Sequence, residues 1–244
     1  MTTSGGAATA AAAANGDGRD VMARLDNVSK VYDTAAARVT ALERMSWRVG
    51  RGEAVALMGP SGCGKTTILN LLGGMDRPTS GSIWVDGNDI AAMSERQLEA
   101  YRLRKVGFVF QFFNLIPSLS AVENLELPML IAGTGADERR CRAEALLETV
   151  GLKEKGYKRP EELSGGEQQR VAVCLALVND PAIILADEPT GNLDSSNARI
   201  IADLLVGLAA KEGKTVLIAS HDPNVVQSFP RVFQMRDGVI QGAA

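Results

Sequence analysis

Eight consecutive residues, Gly59-Pro60-Ser61-Gly62-Cys63-Gly64-Lys65-Thr66, fit the pattern GxxxxGK[ST]. Glycines in such a loop let the backbone wrap until its N–H groups converge on phosphate oxygens. A helix beginning at the loop's end adds the positive end of its dipole. In that setting Lys65 reaches the β- and γ-phosphates of ATP, Thr66 offers its hydroxyl to Mg²⁺, and Thr67 continues the nucleotide lining. A second cluster lies far along the chain, where the apolar run Ile183-Ile184-Leu185-Ala186 ends in Asp187-Glu188. A buried parallel strand delivers residues at its carboxyl end to the same crevice as a phosphate loop. Asp187 is then expected to support Mg²⁺, and Glu188 to orient and deprotonate an attacking water.

These residues need a particular scaffold. Ala54–Met58 reads as a short buried strand feeding the loop, and Ile68–Leu72 as the helix leaving it, ended by Gly73-Gly74. Ahead of it, Arg24 to Val49 is rich in β-branched and apolar residues, broken only by the polar 33–38 connection, which predicts antiparallel strands. Ile83–Val85 with Asp86-Gly87 predicts a strand and tight turn. Ser94 with Gln97, and Ser120 with Glu123, have capping-box spacing and open helices on either side of strand Val106–Gln111. Residues from about 112 to 179 are mostly helical in pattern. Strand Ile183–Asp187, helix Ser195–Lys211 with Ile201, Leu204, Leu205 and Leu208 on one face, and strand Thr215–Ser220 make a βαβ unit. Asp237-Gly238 turns a last hairpin. The expected fold is α/β: a P-loop NTPase core with a mixed sheet, an N-terminal antiparallel β-subdomain and an inserted α-helical subdomain.

The chain has 244 residues, 45% of them hydrophobic, and a formal net charge of −3. That length suits one such domain over 21–242, with no internal repeat to suggest a tandem pair. The charge argues against a nucleic-acid-binding surface. Cys63, Cys141 and Cys174 match no metal-ligand spacing and fit a reducing compartment. No apolar run approaches the ~20 residues that cross a bilayer. The Ala/Gly/Thr-rich stretch 1–20 lacks the basic start and Leu/Val core of a signal peptide and reads as a disordered tail. A role in transport therefore calls for separate membrane-spanning chains.

The segment Leu163-Ser164-Gly165-Gly166-Glu167-Gln168-Gln169-Arg170, directly before a helical run, resembles the LSGGQ signature of the ATP-binding cassette (ABC) ATPases. Further elements follow that family's order: Gln111 after strand Val106–Phe110, like the Q-loop glutamine; Gly191-Asn192-Leu193-Asp194, like the D-loop; His221 after strand Thr215–Ser220, like the switch histidine; and Tyr32, like the aromatic that stacks on adenine. The resemblance implies two copies packed head to tail. Ser164, Gly165, Gly166 and Gln168 would then close on the partner's γ-phosphate, with His221 touching the γ-phosphate and Gln111 touching Mg²⁺ or water. Asp194 would serve in the D-loop.

Leu71–Gly81, Gly107–Leu115 and Ala186–Asp194 are similar to the compact ATPases of the lipoprotein-releasing and macrolide-export type. That implies a homodimer docked on separate transmembrane permease subunits at the cytoplasmic face of the cell membrane. Its work would be export or lipoprotein extraction, or alternatively a signalling or cell-division complex that moves no substrate. Phe112, Phe113 and Leu115 are candidates for the docking surface. Leu175 stands where the family usually has Arg. No NKxD motif for reading guanine is present, which disfavours a GTPase.

Overall fold

The computed structural model describes residues 20–33 and 38–243; apart from Asp20, the stretch read as a tail lies outside them. Two long strands, β1 (Val21–Asp33) and β2 (Arg38–Gly50), pair antiparallel. The alternation of apolar residues along β1 is interrupted where the register slips between Leu25 and Val28, and Asn27 there takes a φ of 48°. A bulge of this kind re-aims the residues beyond it, here Lys30 and Tyr32. The sheet is completed by β4 (Ser80–Val85) and the two-residue β5 (Asn88–Asp89), in the order β2-β1-β4-β5.

The second sheet has six strands. It comprises β3 (Ala54–Met58), β6 (Val106–Phe110), β7 (Ile183–Asp187), β8 (Thr215–Ser220), β9 (Arg231–Arg236) and β10 (Val239–Ala243) in the order β10-β9-β3-β8-β7-β6. All neighbouring pairs from β9 to β6 are parallel, and β10 turns back antiparallel onto β9. Residues 183–186 and 216–219 have no exposed surface. That follows from layers on both faces, the usual fate of parallel strands written as unbroken apolar runs. On one face lie helix α1 (Lys65–Leu72), α2 (Glu95–Lys105) and the antiparallel sheet, sharing a core built from Leu57, Ile68, Leu72, Leu98 and Trp47. On the other lies α6 (Ser195–Glu212), which buries Ile201, Leu205 and Leu208.

A third core belongs to α3 (Ala121–Ile131), α4 (Ala136–Thr149) and α5 (Gly165–Leu177). α3 opens on the expected reciprocal cap, with Ser120 N donating to Glu123 Oε2 at 2.8 Å and Glu123 N to Ser120 Oγ at 3.3 Å. Buried Asn124 ties down the loop before it, donating to the carbonyls of Ile116, Leu119 and Ser120 and accepting from Ile116 N. α5 faces two ways. Val173, Ala176 and Leu177 pack into the sheet's core while Val171 and Cys174 pack into the helical one.

Candidate functional site

The phosphate loop leaves β3 at Met58 and enters α1. Its glycines answer to space as well as to conformation. A Cβ on Gly59 would stand 2.2 Å from the Met235 carbonyl oxygen, and Gly64 has φ 105° with the Ala41 carbonyl oxygen 2.7 Å from where a Cβ would be. No side chain caps the start of α1, so its first amides face the loop's concavity unclaimed by a cap. Lys65 is 94% buried and folds back over the loop, donating to Gly59 O at 2.7 Å and Pro60 O at 3.1 Å. A buried ammonium with carbonyls and one carboxylate around it suits a polyphosphate, which would exchange those partners for stronger anionic ones.

β7 brings the two acids alongside. Thr66 Oγ1 donates to Asp187 Oδ1 at 3.1 Å, joining the loop to the strand end. Burial pushes the Asp187 carboxyl above its ordinary pKa, the Thr66 hydrogen bond pulls against it, and the neighbouring Glu188 charge adds to the rise. This is an environment that a divalent cation between Thr66 and Asp187 would relieve. Glu188 adopts φ 45°, unusual for a residue with a Cβ, and its N–H donates to Ala219 O at 2.9 Å. The turn throws its carboxylate back over the loop, where Oε1 is 3.8 Å from Lys65 Nζ and 3.0 Å from His221 Nδ1. His221, at the end of β8, is mostly exposed, so its ring can serve both Glu188 and a ligand.

Gln111 follows β6 directly. Its side chain turns toward the Gly191–Asn192 loop, with Nε2 3.5 Å from Asn192 Oδ1, while Asn192 Nδ2 donates to Gln111 O at 3.1 Å. Among the described residues it forms no hydrogen bond to Thr66 or Asp187. Asp194 caps α6, accepting from the Ser196 hydroxyl at 2.5 Å and from Ser196 N and Asn197 N at 3.0 Å each, and these bonds, the hydroxyl's foremost, hold its carboxyl well below the usual range.

The segment Ser164–Gln168 forms the start of α5. Ser164 and Glu167 make a reciprocal cap, and Glu167 is also ion-paired to Lys155. Gln168 Nε2 donates to Leu163 O at 3.0 Å. A Cβ on Gly165 would lie 3.7 Å from Leu193 and 3.8 Å from Phe113, and one on Gly166 would collide with Asn197 Oδ1 at 2.1 Å. None of these described contacts reaches residues 59–67. Within one chain the segment packs on the 191–197 region and stays apart from the phosphate loop.

Tyr32 places its hydroxyl on Asp76 Oδ2 at 2.8 Å, with the Lys30 ammonium over its ring at 4.7 Å. Of the candidate docking residues, Phe112 is 71% exposed, whereas Leu115 packs against the helical core. A groove of about 340 Å³ opens beside them between β6, α3 and α5, lined by Phe108, Phe110, Leu127, Pro128 and Leu175. Leu175 therefore adds apolar surface to this groove.

Four residues gain a place here that spacing alone did not assign. Lys30 and Asp76 hold Tyr32, and Asn197 touches both Gly166 and Asp194. Gln169, fully buried, donates from Nε2 to Phe110 O at 3.1 Å while its Oε1 has no partner. Asp76 lies inside the stretch Leu71–Gly81, so the subfamily likeness pointed at its neighbourhood without giving it a task.

The ABC transporter family profile matches residues 42–191. The chain is 48% identical over 218 residues to an uncharacterized ABC transporter ATP-binding protein of Thermotoga maritima, covering 89% of this chain and 93% of that one. It is 43% identical to the lipoprotein-releasing system ATP-binding protein LolD of Chromohalobacter salexigens, covering 90% of this chain and 92% of LolD. Among solved structures, the dimeric post-hydrolysis state of the ATP-binding cassette MJ0796 bound to ADP and Pi superposes with a TM-score of 0.84. That match has 41% identity and covers 91% of this chain and 98% of the other.

Proposed function

Because this chain belongs to the ABC transporter family, we propose that it is the ATP-binding and ATP-hydrolysing subunit of a membrane complex, working as a head-to-tail pair. The observation that carries the reading is the position of Glu188. Its carboxylate is held at a strained corner of the chain, 3.0 Å from His221 and 3.8 Å from Lys65, beside the Thr66–Asp187 pair. Lys65 and the backbone N–H groups of residues 61–67 bind and orient the triphosphate. Thr66 and Asp187 would hold Mg²⁺, joined by Gln111 if its amide swung away from Asn192, and the bound ion would supply charge stabilisation to the phosphates. Glu188 takes a proton from the attacking water, and His221 keeps that carboxylate aimed. Tyr32 is the platform for the adenine.

The signature segment completes the reading. Ser164, Gly165, Gly166 and Gln168 lie at a helix N-terminus and touch no phosphate-loop residue of their own chain, which suits a site finished by a second copy. The dimeric relative bound to ADP and Pi supports the same arrangement. No described helix is long and apolar enough to cross a membrane. In this reading the bilayer partner is a separate permease subunit at the cytoplasmic face. Exposed Phe112 and the groove containing Leu175 are its seat. Similarity to LolD favours export or lipoprotein extraction as the work done.

The deciding experiment compares ATP turnover and ATP-dependent association of wild type and Glu188→Gln. The variant is expected to bind ATP, accumulate as a dimer and lose at least about 100-fold in turnover. Turnover at the wild-type rate would remove Glu188 from the chemistry.

A further inference from the structure

Beyond the phosphate loop, Lys30, Tyr32 and Asp76 form a closed cluster at the C-terminal end of β1. Lys30 and Tyr32 are two residues apart on β1, so their side chains leave the same face of the strand. Lys30 Nζ donates to Asp76 Oδ1 at 2.6 Å and to Arg77 O at 2.8 Å, and also lies over the Tyr32 ring. The second carboxylate oxygen of Asp76 accepts the Tyr32 hydroxyl at 2.8 Å. Arg77 N donates to Asp76 Oδ1 at 2.7 Å. Burial works to raise the Asp76 pKa, yet the hydrogen bonds from Lys30, Tyr32 and Arg77 carry it below the ordinary carboxylate range. Asp76 is thus a fixed anion with every bond directed.

Its footing matters. Asp76 N donates to the carbonyl of Asn70, a residue of α1, the helix that leaves the phosphate loop. Through Asp76 the ring is therefore tied to the phosphate-binding helix, and its position relative to the phosphate loop is set by side chains as well as by the strand that carries it. The Lys30 ammonium lies over the ring at 4.7 Å, so a base stacking on it would do so from the opposite face.

We propose that Asp76 and Lys30 are positioning residues for base recognition, locking the Tyr32 ring against α1 in the orientation that stacks on adenine. The inference rests on the reading of Tyr32 as the adenine platform. A ring already ordered loses little freedom on binding, so the clamp acts on affinity for the nucleoside and leaves the phosphate contacts alone.

The test measures dissociation constants for ATP and for inorganic tripolyphosphate, which has no base. Wild type is compared with Tyr32→Ala, Tyr32→Phe, Asp76→Ala and Asp76→Ala combined with Tyr32→Ala. Asp76→Ala and Tyr32→Phe are each expected to weaken ATP binding about 3- to 10-fold with tripolyphosphate affinity unchanged. Adding Asp76→Ala to Tyr32→Ala is expected to cause no further loss. If Asp76→Ala weakens ATP and tripolyphosphate equally, the residue is a general structural support and the proposal fails. If Tyr32→Ala loses ATP affinity while Asp76→Ala and Tyr32→Phe bind normally, stacking stands and the clamp is overturned. If Tyr32→Ala itself binds ATP normally, the platform reading falls and the clamp falls with it.

Discussion

The Thr66 hydroxyl donates to Asp187 Oδ1 across 3.1 Å, linking residues 121 positions apart in the chain. Asp187 is held there at a cost. Its pKa is raised chiefly by burial, so the folded protein retains this proton more tightly than the unfolded chain. For such a carboxyl, stability is greatest while the group is protonated and declines as pH rises through its folded pKa; near neutrality the buried charge is destabilising. Asp187→Asn keeps an oxygen for Thr66 and removes the charge. Its nucleotide-free melting temperature is expected to rise by a few degrees at pH 7, corresponding to about 1 kcal/mol, while Mg²⁺-dependent turnover falls at least about 100-fold. Calorimetry alongside a phosphate-release assay checks both, and a lower melting temperature would contradict the electrostatic argument.

Gln169 connects the start of α5 to the strand end that precedes Gln111, by its bond to Phe110 O. Its unpaired, buried Oε1 means that an apolar residue of similar length loses one bond and one desolvation penalty together. Gln169→Met is expected to melt within about 1 kcal/mol of wild type yet turn over ATP several-fold more slowly. Measurement of kcat against Tm separates the two effects; slower turnover accompanied by an equal loss of folded protein would mean that the bond is merely structural.

Gly166 leaves no room for a side chain, because Asn197 Oδ1 occupies the place of its Cβ and Asn197 is itself tethered to Asp194 by a 2.6 Å bond. Gly166→Ala should therefore destabilise the protein by about 1–3 kcal/mol through overpacking. Shortening the obstacle with Asn197→Ala should return part of that loss, so the double variant is expected to melt above the additive value. Strict additivity in urea titrations would show that the two sites do not meet.

Glu167 has its pKa lowered to about 2 by Lys155 and by the Ser164 backbone bond. Against an unfolded value near ~4.3, this group contributes stability above that pH and loses it as the pH falls toward 2. The pair is partly open to water, so the contribution is below about 1 kcal/mol. Glu167→Gln retains an acceptor for Ser164 N but no charge for Lys155. The melting-temperature gap between it and wild type is expected to be largest above pH 5 and to close on acidification. A gap that stays constant down to pH 3 would exclude the ion pair as its source.

What could be read in advance was local in the chain. The phosphate loop declares itself because glycine, lysine and threonine must stand at fixed offsets. Asp187 and Glu188 are legible as the end of a wholly apolar strand, and the caps at Ser94 and Ser120 follow from i, i+3 spacing that the bonds to Gln97 and Glu123 reproduce. Contacts made by docking rather than by spacing were not legible. Lys30 meets Asp76 across 46 residues, and Gln169 meets Phe110 across 59. Nothing in a strand's own residues says which neighbours it will pair with. For the same reason the seating of the last hairpin, with β9 directly beside β3, carries no mark in the sequence.

That seating has a consequence for the order in which the protein comes into being. β9 flanks the strand that carries the phosphate loop, the Met235 carbonyl packs behind Gly59, and Gly238 N donates to Cys63 O. All three contacts come from residues 231–238, far downstream of the loop. During synthesis, at ~5–20 residues per second, the loop is translated early and then waits, without its backing, until that distant hairpin has been made. The nascent protein therefore cannot complete its nucleotide pocket until a hairpin far downstream of the loop has been made and has folded back beside it.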